Sequence, residues 1–242
     1  MTAPAPVQAL VDAFVQCFTR PGFLHFKHFI VAHAALWGAP HCVTETLRVT
    51  LWHRIRHWTA PYVFMNRGRW SCRRVAERLL ELLLDGLAIG RELIVVLDDT
   101  LVKKWGRKIF GLGYYPDPTD KNPGASRRRV RGLCWVVLAM LWERQRGQWY
   151  CFPLRALLFV PQTVCPTAWA FATKIQLAAR LIRWLEAAKR RVIVVVDNLY
   201  AKGALVQMVV CHWRITLVSR LRSNAALYEL PPPRQPGQRG RP

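Results

Sequence analysis

The sequence predicts an α/β chain of mixed α+β type, with a helical N-terminal region followed by a mixed β-sheet flanked by helices. Three observations carry this. Residues 1–88 place apolar residues at helical spacing between proline and glycine breaks. Near residue 91 the pattern changes to short, uninterrupted β-favouring runs, LIVVL at 93–97 and VIVVV at 192–196, as suits strands covered on both faces. From there strand patterns come first and then alternate with helical ones, an order that implies helices packed on a mixed sheet.

The first helix is expected around Val7–Phe18, ended by Pro21 and Gly22. Residues 23–37 give a second, stopped by Gly38 and Pro40. Thr44 caps a third that runs to about Trp58, and Pro61 interrupts again. Ser71 then precedes a stretch in which Val75, Leu79, Leu82 and Leu83 recur at helical spacing, closed by Gly86 or Gly90. After the strand at Leu93–Leu97, residues 103–132 read as a loop carrying prolines, glycines and a basic cluster, Arg127, Arg128, Arg129 and Arg131. Leu133–Trp142 suits a buried strand, ERQRGQ a turn, and Trp149–Val160 a second strand broken at Pro153. Pro166 and Thr167 open a helix with the stripe Phe171, Ile175, Ala178, Ile182 and Leu185. Val192–Val196 is a buried strand, Ala201–Cys211 a helix and Ile215–Val218 a strand. The tail PPPRQPGQRGRP has no apolar content to bury and is expected to be extended or disordered. The implied organisation is a helical, DNA-binding region at 1–88, a sheet-bearing region at 89–230 and a Pro/Arg-rich tail at 231–242.

Lys and Arg number 36 against 14 Asp and Glu, a net charge of +22. Self-repulsion of that size is relieved by a polyanion, and nucleic acid is the partner it indicates. Seven cysteines, at 17, 42, 72, 134, 151, 165 and 211, form no Cys-x-x-Cys pair. That fits a reduced, cytoplasmic chain rather than a disulfide framework, and neither His41-Cys42 nor Cys211-His212 has zinc-ligand spacing. No signal peptide is indicated at MTAPAPVQAL, and apolar runs such as Leu133–Trp142 are too short to span a bilayer. The serines stand in no Gly-x-Ser-x-Gly turn, and Gly111-Leu112-Gly113 lacks the rest of a nucleotide-binding pattern.

Both apolar runs end in aspartate: Asp98-Asp99 after the first and Asp197 after the second. Ligands of open α/β sheets bind outside the carboxyl ends of strands. Two carboxylates converging there repel one another unless a cation joins them. Mg²⁺ suits such a site because it needs few protein ligands and keeps waters for substrate phosphates. With two ions, one activates water or a 3′-hydroxyl and the other stabilises the leaving oxygen.

The segments LDDTLVKKWGRKIFGLGYYPDP, RGLCWVVLAM, VVVDNLYAKGALV and LVSRLRSNAALYEL, in that order, resemble the DDE transposases of bacterial insertion sequences over about residues 60–242. The resemblance implies a ribonuclease H-like catalytic domain, incomplete at its C-terminal end, and Mg²⁺, or Mn²⁺ in its place, as cofactor. It implies that the first catalytic aspartate is Asp99 or Asp98, the family pattern placing the ligand directly before Thr100, and that the second is Asp197. Lys103 and Lys104 match the basic stretch after the first aspartate, and Lys202 the helix start after the second, where it contacts DNA phosphate or is a solvated lysine. The family's third ligand is a glutamate on a later helix. Glu229, beside prolines that forbid a continuing helix, is not accepted in that role, so the chain reads as a form cut short before its glutamate.

Basic clusters complete the reading. Arg67, Arg69, Arg73 and Arg74 flank Trp70, and Arg127–Arg129 with Arg131 precede Leu133; such groups position DNA without reading its sequence. Trp52 and Trp58 are expected in the helical core. The tail's Arg239-Gly240-Arg241-Pro242 reads as a connecting loop. The function expected is Mg²⁺-dependent cleavage and transfer of double-stranded DNA at insertion-sequence ends, by a homo-oligomer on paired ends in the cytoplasm or nucleoid, with this chain an inactive or partial form. The alternative is a non-catalytic DNA-binding remnant that competes with full transposase.

Overall fold

The computed structural model describes residues 4–35, 42–50, 57–106, 108–117, 119–120 and 128–220. The chain divides into two compact units, Met1–Gly90 and Arg91–Pro242.

The first unit is helical: α1 (Ala5–Asp12), α2 (Arg20–Ala35), α3 (Val43–Thr50), α4 (Ala60–Arg67) and α5 (Cys72–Gly86). Two prolines read as breakers instead open helices, Pro21 in the first turn of α2 and Pro61 in that of α4. A first-turn N–H has no acceptor within its helix, and proline's fixed φ suits that position. The helix expected over Val7–Phe18 is split into α1 and a 3₁₀ turn at Val15–Cys17. Ser71 caps α5, its Oγ accepting from the Arg74 N–H at 3.4 Å. The core is aromatic: the rings of Phe18 and Phe26 stack at 4.6 Å and those of Phe64 and Trp70 at 5.7 Å. Trp58 was expected there but lies in a turn and is 60 % exposed, while Trp52 falls outside the described residues.

The second unit is built on six strands, β1 (Glu92–Lys103), β2 (Gly113–Pro116), β3 (Arg129–Gln145), β4 (Gln148–Phe159), β5 (Arg191–Val196) and β6 (Ile215–Ser219), with helices α6 (Lys174–Leu185) and α7 (Ala204–Val210). The sheet runs β2-β3-β1-β5-β6, and β4 pairs with β3. β1, β5 and β6 are parallel, whereas β3 is antiparallel to β1, β2 and β4. This is the mixed sheet with helices that the sequence predicts.

Several boundaries differ. The expected loop at 103–132 contains β2 and the start of β3, because Gly113–Pro116 pairs with residues 129–132. The β3–β4 turn is tighter than ERQRGQ suggested: β3 continues to Gln145, and Gly147 takes φ +83°. Proline 153 stays in β4 beside a register irregularity, the setting in which a strand tolerates a missing donor. The helix expected from Pro166 starts only at Lys174. Its entry is fixed by a capping box, in which Thr173 accepts from the Gln176 N–H and Gln176 answers the Thr173 N–H, so Phe171 lies outside it.

The apolar runs were expected to be covered on both faces. One face is: Leu93, Val95 and Leu97 of β1, Val136, Leu138 and Met140 of β3, and Val192, Val194 and Val196 of β5 are buried. The α6 residues Leu177, Ala178, Leu181, Ile182 and Leu185 are buried with them. Each such aliphatic side chain contributes about 1.5–3 kcal/mol on burial. On the opposite face Ile94, Val96, Ile193 and Val195 are only half-buried.

Candidate active site at the strand ends of the mixed sheet

The last rung joining β1 to β5 pairs Leu97 with Val196. The next residue on each strand is an aspartate, Asp98 and Asp197, so the two runs deliver their carboxylates to one end of the parallel ladder. β1 itself does not end there. It continues along β3, with Asp98 opposite Val137 and Asp99 opposite Val136, to Lys103. Both residues of the pair are thus held in strand geometry, which sends successive side chains to opposite faces. Asp99 shares the buried face of Leu97 and is half-buried, whereas Asp98 faces the other way and is exposed.

Among the described residues, Asp99 accepts three side-chain hydrogen bonds. Lys174 Nζ donates to its Oδ2 at 2.6 Å, the Cys134 thiol donates to Oδ2 at 3.4 Å, and the Tyr200 hydroxyl donates to Oδ1 at 3.0 Å. Cys134 belongs to β3, Lys174 opens α6 and Tyr200 follows Asp197, so three separate segments close on one carboxylate. The Lys174 ammonium also lies 5.8 Å from the ring centres of Tyr115 and of Phe159, within cation–π range. A lysine in the first helical turn opposes the helix dipole, and Asp99 offsets that charge.

Burial pushes the Asp99 carboxyl up, but the hydrogen bond and charge of Lys174, with the Cys134 and Tyr200 donors, hold it below the usual carboxylate range. Burial draws Lys174 down, and the Asp99 carboxylate more than restores it, leaving it above an ordinary lysine. Tyr200 is pushed up by burial and by the charge of Asp99. Cys134 rises to about 11, mainly through burial. The result is an ionised carboxylate facing one ammonium, a neutral phenol and a neutral thiol.

Asp197 begins a turn. Its carbonyl accepts from the Tyr200 N–H at 3.0 Å, and its Oδ1 accepts from the Asn198 N–H at 2.6 Å. Tyr200 is fully buried, which anchors the turn. Gly203 takes φ +55° and ψ −131° before α7, a conformation open essentially to glycine alone. Lys202, read as part of a helix, lies in this turn and is exposed. Asp98 Oδ1 accepts from the Asp99 N–H at 2.8 Å. The donor set is all carboxylate oxygen, which suits hard ions such as Mg²⁺ or Mn²⁺. Among the described residues no cluster of three or more His, Cys, Asp or Glu is arranged around a metal position, and Glu229 lies outside them.

The basic residues separate by role. Lys103 pairs with buried Asp117 at 3.1 Å, and hydrogen bonds from Thr119 hold that carboxyl down at about 2; this lysine is part of the loop's structure. Lys104 and Arg128 are exposed. Arg129 and Arg131, expected in a loop, lie in β3. Arg129 Nη2 donates to the Tyr114 carbonyl at 2.9 Å, and the Arg131 guanidinium lies 6.0 Å from the Tyr114 ring centre. Arg127 lies outside the described residues. In the helical unit, Arg73 pairs with Glu77 and Arg74 donates to the Gln16 carbonyl at 3.2 Å, so these two act within the fold, while Arg67 and Arg69 stay exposed.

Sequence reasoning missed Lys174, Cys134 and the role of Tyr200. Tyr200 lies inside the DNLYAKG segment that carries the family resemblance, but Lys174 carries no signal beyond its place after Thr173. No helix among the described residues is long and apolar enough to cross a membrane.

A model of the family described as DDE superfamily endonuclease matches residues 13–242. Among solved structures, a chain of the crystal structure of the Mos1 strand transfer complex is similar at 14 % identity and a TM-score of 0.24, over 90 % of this chain and 59 % of that one. No curated protein matches.

Proposed function

The chain belongs to the DDE superfamily endonucleases, and from that premise we propose that it acts as a DNA transposase, with Asp99 and Asp197 as the metal-holding carboxylates of a strand cleavage and transfer site. The observation that carries this reading is the network around Asp99. A ligating carboxylate works when outer groups fix its orientation; Cys134 and Tyr200 do so for Asp99, and Lys174 keeps it ionised until a metal takes its place. Tyr200 also ties Asp99 to the turn that starts at Asp197. Asp98 has no comparable set of donors, accepting among the described residues only from the Asp99 N–H.

Bound Mg²⁺ or Mn²⁺ would supply activation of a water or 3′-hydroxyl and neutralisation of charge developing on phosphate oxygens. The chain's own residues hold the carboxylates ionised and in place. Exposed Lys104, Arg128 and Lys202, with Arg129 and Arg131 on β3, would take the DNA phosphates, and the helical region at 1–88 would add further DNA contacts. The substrate in this reading is double-stranded DNA, the ends of an insertion sequence and their target, engaged by a homo-oligomer.

Calorimetric titration of Mg²⁺ into the full chain and its D98A, D99A and D197A forms tests the assignment. D99A and D197A should abolish the binding isotherm while D98A retains it. Unchanged binding in D99A and D197A would remove these residues as ligands.

One observation favours a second reading, a DNA-binding protein without catalysis: Lys174 already neutralises Asp99, and no third carboxylate joins it among the described residues. DNA binding that falls with salt, yet is indifferent to Mg²⁺ and to all three aspartates, would select this one.

A further inference from the structure

Because β1, β5 and β6 are parallel, the segments that precede them share the edge opposite the aspartates. Those segments are Arg91, Lys189-Arg190-Arg191, and Trp213-Arg214. β5 spans the distance between the two edges, about 20 Å at roughly 3.3 Å per residue. A cleft of about 520 Å³ at this edge is lined by all six residues together with Glu92 and Ala188. Trp213 is 85 % exposed, and the Arg214 guanidinium lies 4.7 Å from its ring centre. The nearby carboxylates are two: Glu92 pairs with Arg191 at 3.2 Å, and Glu186 faces His212 at 3.5 Å. Five cations against two carboxylates leave the edge strongly positive.

Lys189 closes the helical segment after α6 with φ +52°, a left-handed position where glycine is the ordinary occupant. That position puts Lys189 at the head of three consecutive cations on this edge.

We propose that this edge is a second DNA-binding surface, which grips the phosphate backbone of a duplex other than the one presented to the aspartates. The Debye length at physiological salt is about 8 Å, well short of the roughly 20 Å along β5, so these cations act on phosphates at their own edge and not on those at the aspartate end. Trp213 forms an exposed flat ledge against which sugar and backbone pack, and Lys189 and Arg214, with Arg91 beside them, pair with phosphates without reading sequence. That the polyanion is DNA rests on the function proposed above.

The test is sedimentation of the full chain with a labelled duplex of about one helical turn, which reads protein mass and duplexes bound per chain together. Lys189, Trp213 and Arg214 are exposed, so their substitution leaves the core intact. Wild type is expected to take two duplexes per chain. K189E/R214E and, separately, W213A should take one, with the charge-retaining K189R/R214K restoring the second. The salt dependence of the weaker step should lose a slope of about 2 in K189E/R214E, near 0.9 for each phosphate contact. One duplex per wild-type chain, or two that survive K189E/R214E, overturns this surface and leaves the aspartate site standing. A wild-type chain that binds no duplex overturns the DNA reading itself.

Discussion

The Tyr200 hydroxyl donates to Asp99 Oδ1 at 3.0 Å, joining the turn after β5 to the middle of β1. It makes the carboxylate of one strand depend on the loop of its neighbour. Y200F keeps the ring and removes the donor. Stability should fall by about 1 kcal/mol in urea denaturation, and the Asp99 pKa, followed by NMR, should rise because a donor to the charged form is gone. An unchanged Asp99 titration would show that the bond does not operate in solution.

With Asp99 as the proposed metal-holding carboxylate, Lys174 and a divalent ion would compete for it. K174M leaves Asp99 half-buried and unpaired, so the apo protein should lose about 1–2 kcal/mol, less than the 3–5 kcal/mol of a fully buried pair because both partners retain some solvent. Mg²⁺ affinity should rise several-fold, since an adjacent positive charge has been removed. A thermal melt with and without Mg²⁺ reads both effects, and lower affinity in K174M would mean the lysine assists the ion instead.

The Asp99–Lys174 pair should stabilise the chain across neutral pH and fail at both extremes. The Asp99 pKa is lowered on folding. Its contribution is present above the unfolded value of about 3.9 and is lost as pH falls through the folded value. The Lys174 pKa is raised. Its contribution is full below about 10.4 and is lost as pH rises through the folded value. In D99N the acid loss of stability should be smaller than in wild type, as read by urea midpoints over a pH series.

Lys103 and Lys202 should separate structure from DNA contact. K103A breaks the pair with Asp117 and should lower stability with a small change in DNA affinity. Exposed Lys202 pairs with no carboxylate among the described residues. K202A should leave the melt unchanged and reduce the salt slope of DNA binding by about 1. Equal effects of the two substitutions on DNA binding would make Lys103 a phosphate contact as well.

Leu138, fully buried in β3 opposite Leu97, tests the sheet core. L138A should lose about 2–5 kcal/mol in denaturant unfolding, the range for a buried leucine whose cavity does not collapse. A loss below 1 kcal/mol would place the residue nearer solvent than its burial indicates.

The sequence by itself determined the change from helix to sheet near residue 91, the two runs that lead to Asp98, Asp99 and Asp197, the helix that follows Ser71 and the family. These rest on local chemistry: uninterrupted β-favouring runs, apolar residues at helical spacing, and charge. It placed helix entries poorly. Pro21 and Pro61 break a helix or open one according to which residues follow, and Pro166 looked like a start where Thr173 with Gln176 provides the real one. It did not find β2, because four residues with two tyrosines and a proline become a strand only when β3 lies beside them.

The tertiary structure decided the rest. Whether Asp98 or Asp99 faces the helices depends on register, since one residue's slip exchanges the two faces of a strand. The partners of Asp99 come from positions 134, 174 and 200, and no local pattern links them. The basic edge at Arg91, Lys189–Arg191 and Arg214 exists only because β1, β5 and β6 run parallel, which is a property of the sheet and of no single segment.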